Sequence, residues 1–240
     1  MQKLNDQLLP MRHSSEHVLT MVMEKLYGSD EKNNPNIIKA MGPAIDDGFY
    51  FDFDISDSAR EKGFKITQQD LPKIEKEMRK LIQQGLLMER VEVSSQVARQ
   101  IFADNPYKQE LLDGLENAED FEVSESINDG KSAIKHQMLE RNPEKITLYL
   151  TGRMEQIEAD KKLIAGLEMM SNHDQASIKL SSFVDLCKGP HVAKISEIKA
   201  FKLLSIAGAY WRGSEKNKML TRIYGTAFAS QADLDDFLAK

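Results

Sequence analysis

Residues 42–54, GPAIDDGFYFDFD, constrain the fold of this chain more than any other stretch. An Asp-Asp-Gly turn runs into the alternation Phe49, Phe51, Phe53, a period of two that suits a strand and not a helix. The expected product is an antiparallel hairpin with its phenylalanines facing inward and Tyr50, Asp52 and Asp54 in the outward positions.

Other stretches carry the helical period. A helix is expected from about Pro10 to Tyr27, since Pro suits a first helical position and Gly28 a stop; Met11, Val18, Leu19, Val22 and Leu26 fall on one stripe. Residues 67–85 open with capping residues and a Pro, close at Gly85, and place Ile74, Met78, Leu81 and Ile82 at helical spacing. Shorter helices are expected at 95–103, 107–112 and 232–238, and a surface helix at 153–170 with Ile157, Ile164 and Leu167 on one face. Strand patterns occupy 88–93, 146–150, 177–184, 200–206 and 219–228. The class is therefore α+β, antiparallel sheets flanked by helices. Residues 114–130 hold six acidic side chains and no basic one, the pattern of a solvated loop.

The chain has 240 residues, 41% hydrophobic and 29% charged, which suits one large or two small globular domains. No apolar run approaches the roughly 18 to 20 residues of a membrane helix, and the first residues lack a signal peptide's basic start and apolar centre. A single cysteine, Cys187, leaves no internal disulfide framework and no four-cysteine metal site, in keeping with a reducing cytoplasm. The net charge of -6 argues against a generic nucleic-acid binder, so local charge decides that question.

Three constellations could carry chemistry. His13 and His17 stand four apart on the first expected helix, on one side and roughly 155 to 165° from the apolar stripe at about 100° per residue. They are either two solvated histidines or half of a site. The second is Asp185-Leu186-Cys187-Lys188-Gly189-Pro190-His191, where Gly-Pro forbids a helix and makes a tight turn on which thiol and imidazole can converge. With the helical histidines it could form a tetrahedral zinc site of one thiolate and three imidazoles, or a metal-free acid-base pocket; alternatively Cys187 is a small buried hydrophobe and His191 a turn residue. The third lies between Lys199 and Arg222, where Lys199, Lys202, Arg212, Lys216, Lys218 and Arg222 face one acid, Glu215, a local charge of +5. With Tyr210, Trp211 and Tyr224 interleaved, it is either an RNA-backbone contact or an ordinary strand pair with solvated lysines.

Four motifs in one order, Arg12-His13-Ser14-Ser15-Glu16-His17, Gly42 to Tyr50, Val184 to His191 and Gly208-Ala209-Tyr210-Trp211-Arg212-Gly213, closely resemble the amino-terminal editing domain of bacterial threonyl-tRNA synthetases. A related H-x-x-x-H with C-x-x-x-H module occurs in alanyl-tRNA synthetases and free-standing alanyl-tRNA deacylases. The resemblance covers most of residues 10–113 and 183–240. It implies a cytoplasmic hydrolase that removes serine mischarged onto threonine tRNA. Such editing is needed because one methyl separates the two amino acids and discriminates by only about 1 to 3 kcal/mol.

By position, the resemblance implies a pocket of His13, His17, Cys187 and His191 with Asp185 and Lys108, water being positioned or deprotonated by His13 or His17 and developing oxyanion charge stabilised by Lys108. It implies no required metal, with zinc on His13, His17, Cys187 and His191 as the alternative. The family commonly has a second tyrosine where this chain has Phe51, and it passes more directly across about 114–182, so that stretch reads as an insertion of possible lid or docking use. The expected partners are the acceptor end of threonine tRNA carrying serine and a threonyl-tRNA synthetase catalytic core, with no membrane; nothing in the chain resembles that core's ATP-binding motifs. A fragment of a longer protein and a free-standing trans-editing factor remain open. The rival class is an inactive module that only holds the tRNA acceptor end.

Overall fold

A computed structural model describes residues 2–117, 122–123, 136–137, 145–170 and 177–240. In chain order its elements are α1 (Gln2–Tyr27), β1 (Ile37–Lys39), β2 (Ala44–Ile45), β3 (Gly48–Ile55), α2 (Asp57–Glu61), α3 (Leu71–Ile82), β4 (Leu87–Val93), α4 (Ser95–Ile101) and α5 (Pro106–Glu116). They continue with β5 (Glu122–Val123), β6 (His136–Gln137), β7 (Ile146–Gly152), α6 (Met154–Glu168), β8 (Phe183–Leu186), β9 (Ala200–Tyr210), β10 (Met219–Phe228) and α7 (Gln231–Leu238). The mixture is α+β, as the alternating periods predict. These residues divide into two compact units, one from 2–85 and 190–240, the other from the described residues between 86 and 189.

The first unit is built on an antiparallel sheet of order β1-β3-β10-β9, with β2 folded back on β3. The expected hairpin is β2 and β3, closed by Asp46 and Asp47. Gly48 is required there, because a Cβ would stand 2.1 Å from the Gly225 carbonyl oxygen. Phe49, Phe51 and Phe53 are fully buried, with Ile223 opposite Phe51 on β10. Helix α1 packs on β2, β3 and β10, and α3 on α1 and β9. Ile74 and Met78 of α3 are buried, as their spacing requires.

Two expectations are corrected here. The first helix starts at Gln2 and carries Pro10 in its interior, so proline does not mark its beginning. Tyr50, Asp52 and Asp54 are not outward: all eight residues of β3 are buried. The aspartates are tolerated because they meet cations. Arg222 lies opposite Asp52 in the β3–β10 register and makes two hydrogen bonds to its carboxylate, 2.6 and 2.7 Å, with its guanidinium over the Tyr50 ring at 3.8 Å. Lys218 reaches Asp54 at 3.0 Å.

The second unit centres on the antiparallel sheet β4-β7-β8. Successive residues of β7, ITLYLTG, point to opposite faces. Leu148 and Leu150 are fully buried on one; Thr147 and Tyr149 occupy the other. Helix α6 packs on β4 and β7 and buries Ile157 and Ile164. Within the segment that the resemblance sets apart at 114–182, residues 146–168 thus supply the central strand and a helix of this unit. Of the acidic stretch 114–130, residues 114–116 end α5, and most of the remainder lies outside the described residues. Strand β8 begins at Phe183 and not near Ser177, because the buried Asp160 carboxylate captures the backbone N–H groups of Ser181 (2.8 Å) and Ser182 (2.7 Å) and holds them in a bend. Strand β9 runs four residues past the expected end, to Tyr210.

The Asp52–Arg222 pair yields a stability prediction. Asp52→Ala leaves a guanidinium buried without its carboxylate, and urea unfolding should show a loss of about 3 to 5 kcal/mol; replacing both residues by leucine should recover most of it.

Candidate functional site

The polar face of α1 gathers the first group of side chains. His13 and His17 lie one turn apart with ring centroids separated by 5.7 Å. The chain after Pro190 delivers a third ring, and His191 stands 4.2 Å from His13 and 4.3 Å from His17. One ring nitrogen of each of the three lies within 4.8 Å of the others. The two helical histidines are not solvated: His17 is 1% exposed, and only 13% of the His13 side chain is accessible. The helix is covered around most of its circumference here, and Arg12, Ser14, Ser15, Glu16 and Thr20 are all buried.

Two neighbours of these rings, Glu16 and Ser14, were not singled out from the sequence. The Glu16 carboxylate lies 3.6 Å from His17 Nε2 and 3.9 Å from His13 Nε2, and takes a hydrogen bond from the Thr20 hydroxyl. Ser14 Oγ lies 3.2 Å from His191 Nδ1 and accepts the Val192 N–H at 3.0 Å. The signal was present in the spacing, since Glu16 stands three residues after His13 and beside His17. Burial pushes the His191 imidazole well below the usual histidine range, and the neighbouring His13 and His17 push it the same way.

The second group belongs to the other unit. Lys108 near the start of α5 reaches the Asp185 carboxylate on β8 at 2.6 Å, and the two residues are 1% and 2% exposed. Asn105 caps that helix by accepting the Lys108 N–H. Asp185 also accepts the Leu186 N–H at 2.9 Å. Cys187 follows two residues later, its backbone N–H bonded to the Thr147 carbonyl and its Sγ accepting the Gly189 N–H at 3.3 Å. The register sets Tyr149 opposite Asp185, so Asp185 and Tyr149 share one face of β7 and β8. Burial pushes the Tyr149 phenol up, Cys187 adding to the shift and Arg90 opposing it. Gly189 has a φ of +79°, and a Cβ there would stand 2.4 Å from the Tyr149 hydroxyl oxygen. The Gly-Pro turn is thus constrained by both backbone hand and contact.

Each expected site residue therefore has a place. His13, His17 and His191 come together in the first unit; Lys108 and Asp185 come together in the second, with Cys187 beside them on the same extended segment. Only Lys188, Gly189 and Pro190 separate Cys187 from His191 in the chain.

The basic stripe needs correction. Arg222 is 6% exposed and bound to Asp52, so it is no surface contact. Lys202 pairs with Glu75 at 2.8 Å, and Lys218 with both Asp54 and Asp57 at 3.0 Å. The acids that offset the local +5 come from β3, α2 and α3, remote in sequence and beyond the reach of a local count. Trp211 is buried, whereas Lys199, Arg212, Lys216 and Tyr210 are exposed.

Residues 177–224, which include the Cys187 to His191 turn and β9, match the family described as "Threonyl and Alanyl tRNA synthetase second additional domain". The chain is related to the threonyl-tRNA synthetases. It is 38% identical over 227 residues to the threonine-tRNA ligase of Thermotoga maritima, an alignment covering 95% of this chain and 25% of that protein. It is 36% identical over 230 residues to the ligase of Clostridium tetani and 35% over 239 residues to that of Oceanobacillus iheyensis. The chain thus spans about a quarter of the length of these relatives. The four ordered motifs, the family match and these relatives all point to the threonyl-tRNA synthetases. Among the described residues no helix is long and apolar enough to cross a membrane.

The lowered His191 pKa fixes a sign. The unfolded chain binds a proton at this residue near pH 6.5 and the folded chain does not, so stability falls as pH drops below about 6.5 and levels off below the folded pKa. An NMR titration of the His191 ring should give a midpoint below 6.5.

Proposed function

We propose that this chain hydrolyses the ester of serine mischarged onto threonine tRNA, in the cytoplasm. The observation that carries the reading is the cluster of three imidazoles packed on a buried, polar helix face. A buried acid-base cluster of this kind contributes nothing obvious to folding and needs polar neighbours to exist at all. In this reading a water molecule is held by His13 or His17, which removes its proton as it attacks the ester carbonyl. Glu16, beside both rings, stabilises the imidazolium that results. Lys108, held beside Asp185, offsets the charge that develops on the carbonyl oxygen. Cys187, Asp185 and His191 receive the serine amine and hydroxyl.

Support for the substrate class comes from the family match, from relatives named threonine-tRNA ligase, and from the short Cys187 to His191 interval. A threonyl-tRNA synthetase catalytic core is the proposed partner. The exposed Lys199, Arg212 and Lys216 are the proposed RNA contacts, in place of the six residues of the sequence stripe.

A second reading uses zinc. Three ring nitrogens within 4.8 Å of one another suit a borderline ion, with His13, His17 and His191 as ligands and Cys187 as the fourth. Zinc held by all four would tie the site together. Four protein ligands would leave it no position for water, and this favours the metal-free reading.

Four measurements test these proposals. Seryl-tRNA should be deacylated well above background and threonyl-tRNA much less; equal background loss of both would refute the hydrolase. His13→Ala should reduce the seryl rate by about 10²- to 10⁴-fold with RNA affinity near wild type, whereas an inactive binding module would be indifferent to it. Elemental analysis of protein purified without added metal or chelator should find far less than one zinc per chain. For the RNA track, Lys199→Ala with Lys216→Ala should weaken tRNA binding and flatten its salt slope by up to about two units, leaving hydrolysis of a short seryl-adenosine mimic unchanged.

A further inference from the structure

Ser14 stands between the two histidines of the helix motif, and its hydroxyl has three partners. Its Oγ lies 2.7 Å from the Pro10 carbonyl oxygen, 3.0 Å from the Val192 backbone nitrogen and 3.2 Å from His191 Nδ1. Ser14 is wholly buried, so this geometry is not shared with bulk water.

A hydroxyl has one proton and two lone pairs. Two oxygens 2.7 Å apart require a proton between them, and a carbonyl oxygen has none to give. The Ser14 proton is therefore committed to Pro10. Val192 N–H can only donate, and it takes one lone pair. The remaining lone pair faces His191 Nδ1, and a nitrogen 3.2 Å from a lone pair must bring the proton itself. Nδ1 is the protonated nitrogen of His191, and Nε2 carries the lone pair.

We infer that Ser14 is a positioning residue that fixes the tautomer of His191, making its Nε2 a hydrogen-bond acceptor for a donor on the bound aminoacyl group. The assignment of a tautomer stands on the geometry alone. The role toward an aminoacyl group rests on the hydrolase reading given above. Two donors are available on a seryl ester, the α-ammonium and the side-chain hydroxyl, and Nε2 can accept from either; an N–H there would reject the ammonium, whereas the hydroxyl could turn and accept from it. The same serine ties down the backbone just after the ring through Val192. Ring, chain and helix are thereby held by one oxygen atom, a support well suited to a site that must keep its geometry within a fraction of an ångström.

The test starts with wild-type protein and requires no variant. Long-range proton–nitrogen correlation of the His191 ring at pH 7.5 should show a protonated Nδ1 and a bare Nε2. A protonated Nε2 would overturn the inference outright. Ser14→Ala should mix the two tautomers, and Ser14→Thr, which restores the hydroxyl, should return the wild-type pattern. On seryl-adenosine, Ser14→Ala should raise KM about tenfold, the equivalent of one net hydrogen bond, with a smaller change in kcat. Analogues lacking the amine, or carrying alanine in place of serine, identify the donor: the tenfold penalty should vanish on whichever analogue lacks it. A penalty that persists undiminished on both analogues would show that Nε2 meets no donor of the aminoacyl group. If wild-type protein leaves seryl-adenosine intact while the ring has the expected tautomer, the hydrolase reading fails and the proposed acceptor role fails with it, leaving the tautomer assignment in place.

Discussion

Helix α1 is buried on both sides, and the arrangement of the first unit follows from how its polar side is made tolerable. The apolar side, with Val18, Leu19, Val22 and Met23, needs only the sheet. The same helix also buries Arg12, at the edge of that side, and Ser14, Glu16, His17 and Thr20 away from its centre, each of which would be costly to bury without a partner. The helix therefore dictates what surrounds it. Arg12 is satisfied by the Asp46 and Ala227 carbonyls and lies over Phe228, tying the hairpin turn and the end of β10 to the helix. Ser14 fixes the chain at His191 and Val192. The histidines and Glu16 answer one another. A polar cluster built this way is specified as a whole, because removing one member orphans the next.

The same logic recurs where charge enters the sheet. Asp52 and Arg222 face each other in the middle of two long strands, and the planar guanidinium fits both the carboxylate and the Tyr50 ring. In the second unit Lys108 and Asp185 form an equally buried pair. Pairs of this kind contribute little net stability compared with well-packed apolar residues. Their value lies in holding particular atoms at particular places.

Local periodicity was legible in the sequence wherever one physical rule decided the outcome. The β2–β3 hairpin, helix α3, strands β4 and β10 and the terminal helix α7 lie close to their expected positions because turn residues, caps and alternation all agree there. The failures have a common cause. A period of two separates the faces of β3 but does not say that both are buried, so Asp52 and Asp54 looked solvated until Arg222 and Lys218 were seen beside them. Pro10 looked like a helix start because a local rule favours it there, and the longer helix overrode the rule. The His13 and His17 pair and the Cys187 to His191 turn were legible from motif spacing, and Lys108 only through the family resemblance. Glu16, Ser14 and Tyr149 were not, because their importance arises only when distant segments meet.

The pairing of the basic run with acids from β3, α2 and α3 also bears on how fast a polyanion could find this chain. Cations whose charge is cancelled a few ångströms away produce a field that dies within a short distance, and a net charge of -6 adds a weak long-range repulsion. Approach of a nucleic acid would therefore lack electrostatic steering, and its encounter rate would sit near that of neutral partners. Tethering to a second polypeptide that already holds the nucleic acid would remove this handicap, since the search then becomes an intramolecular one governed by effective concentration and not by attraction at a distance.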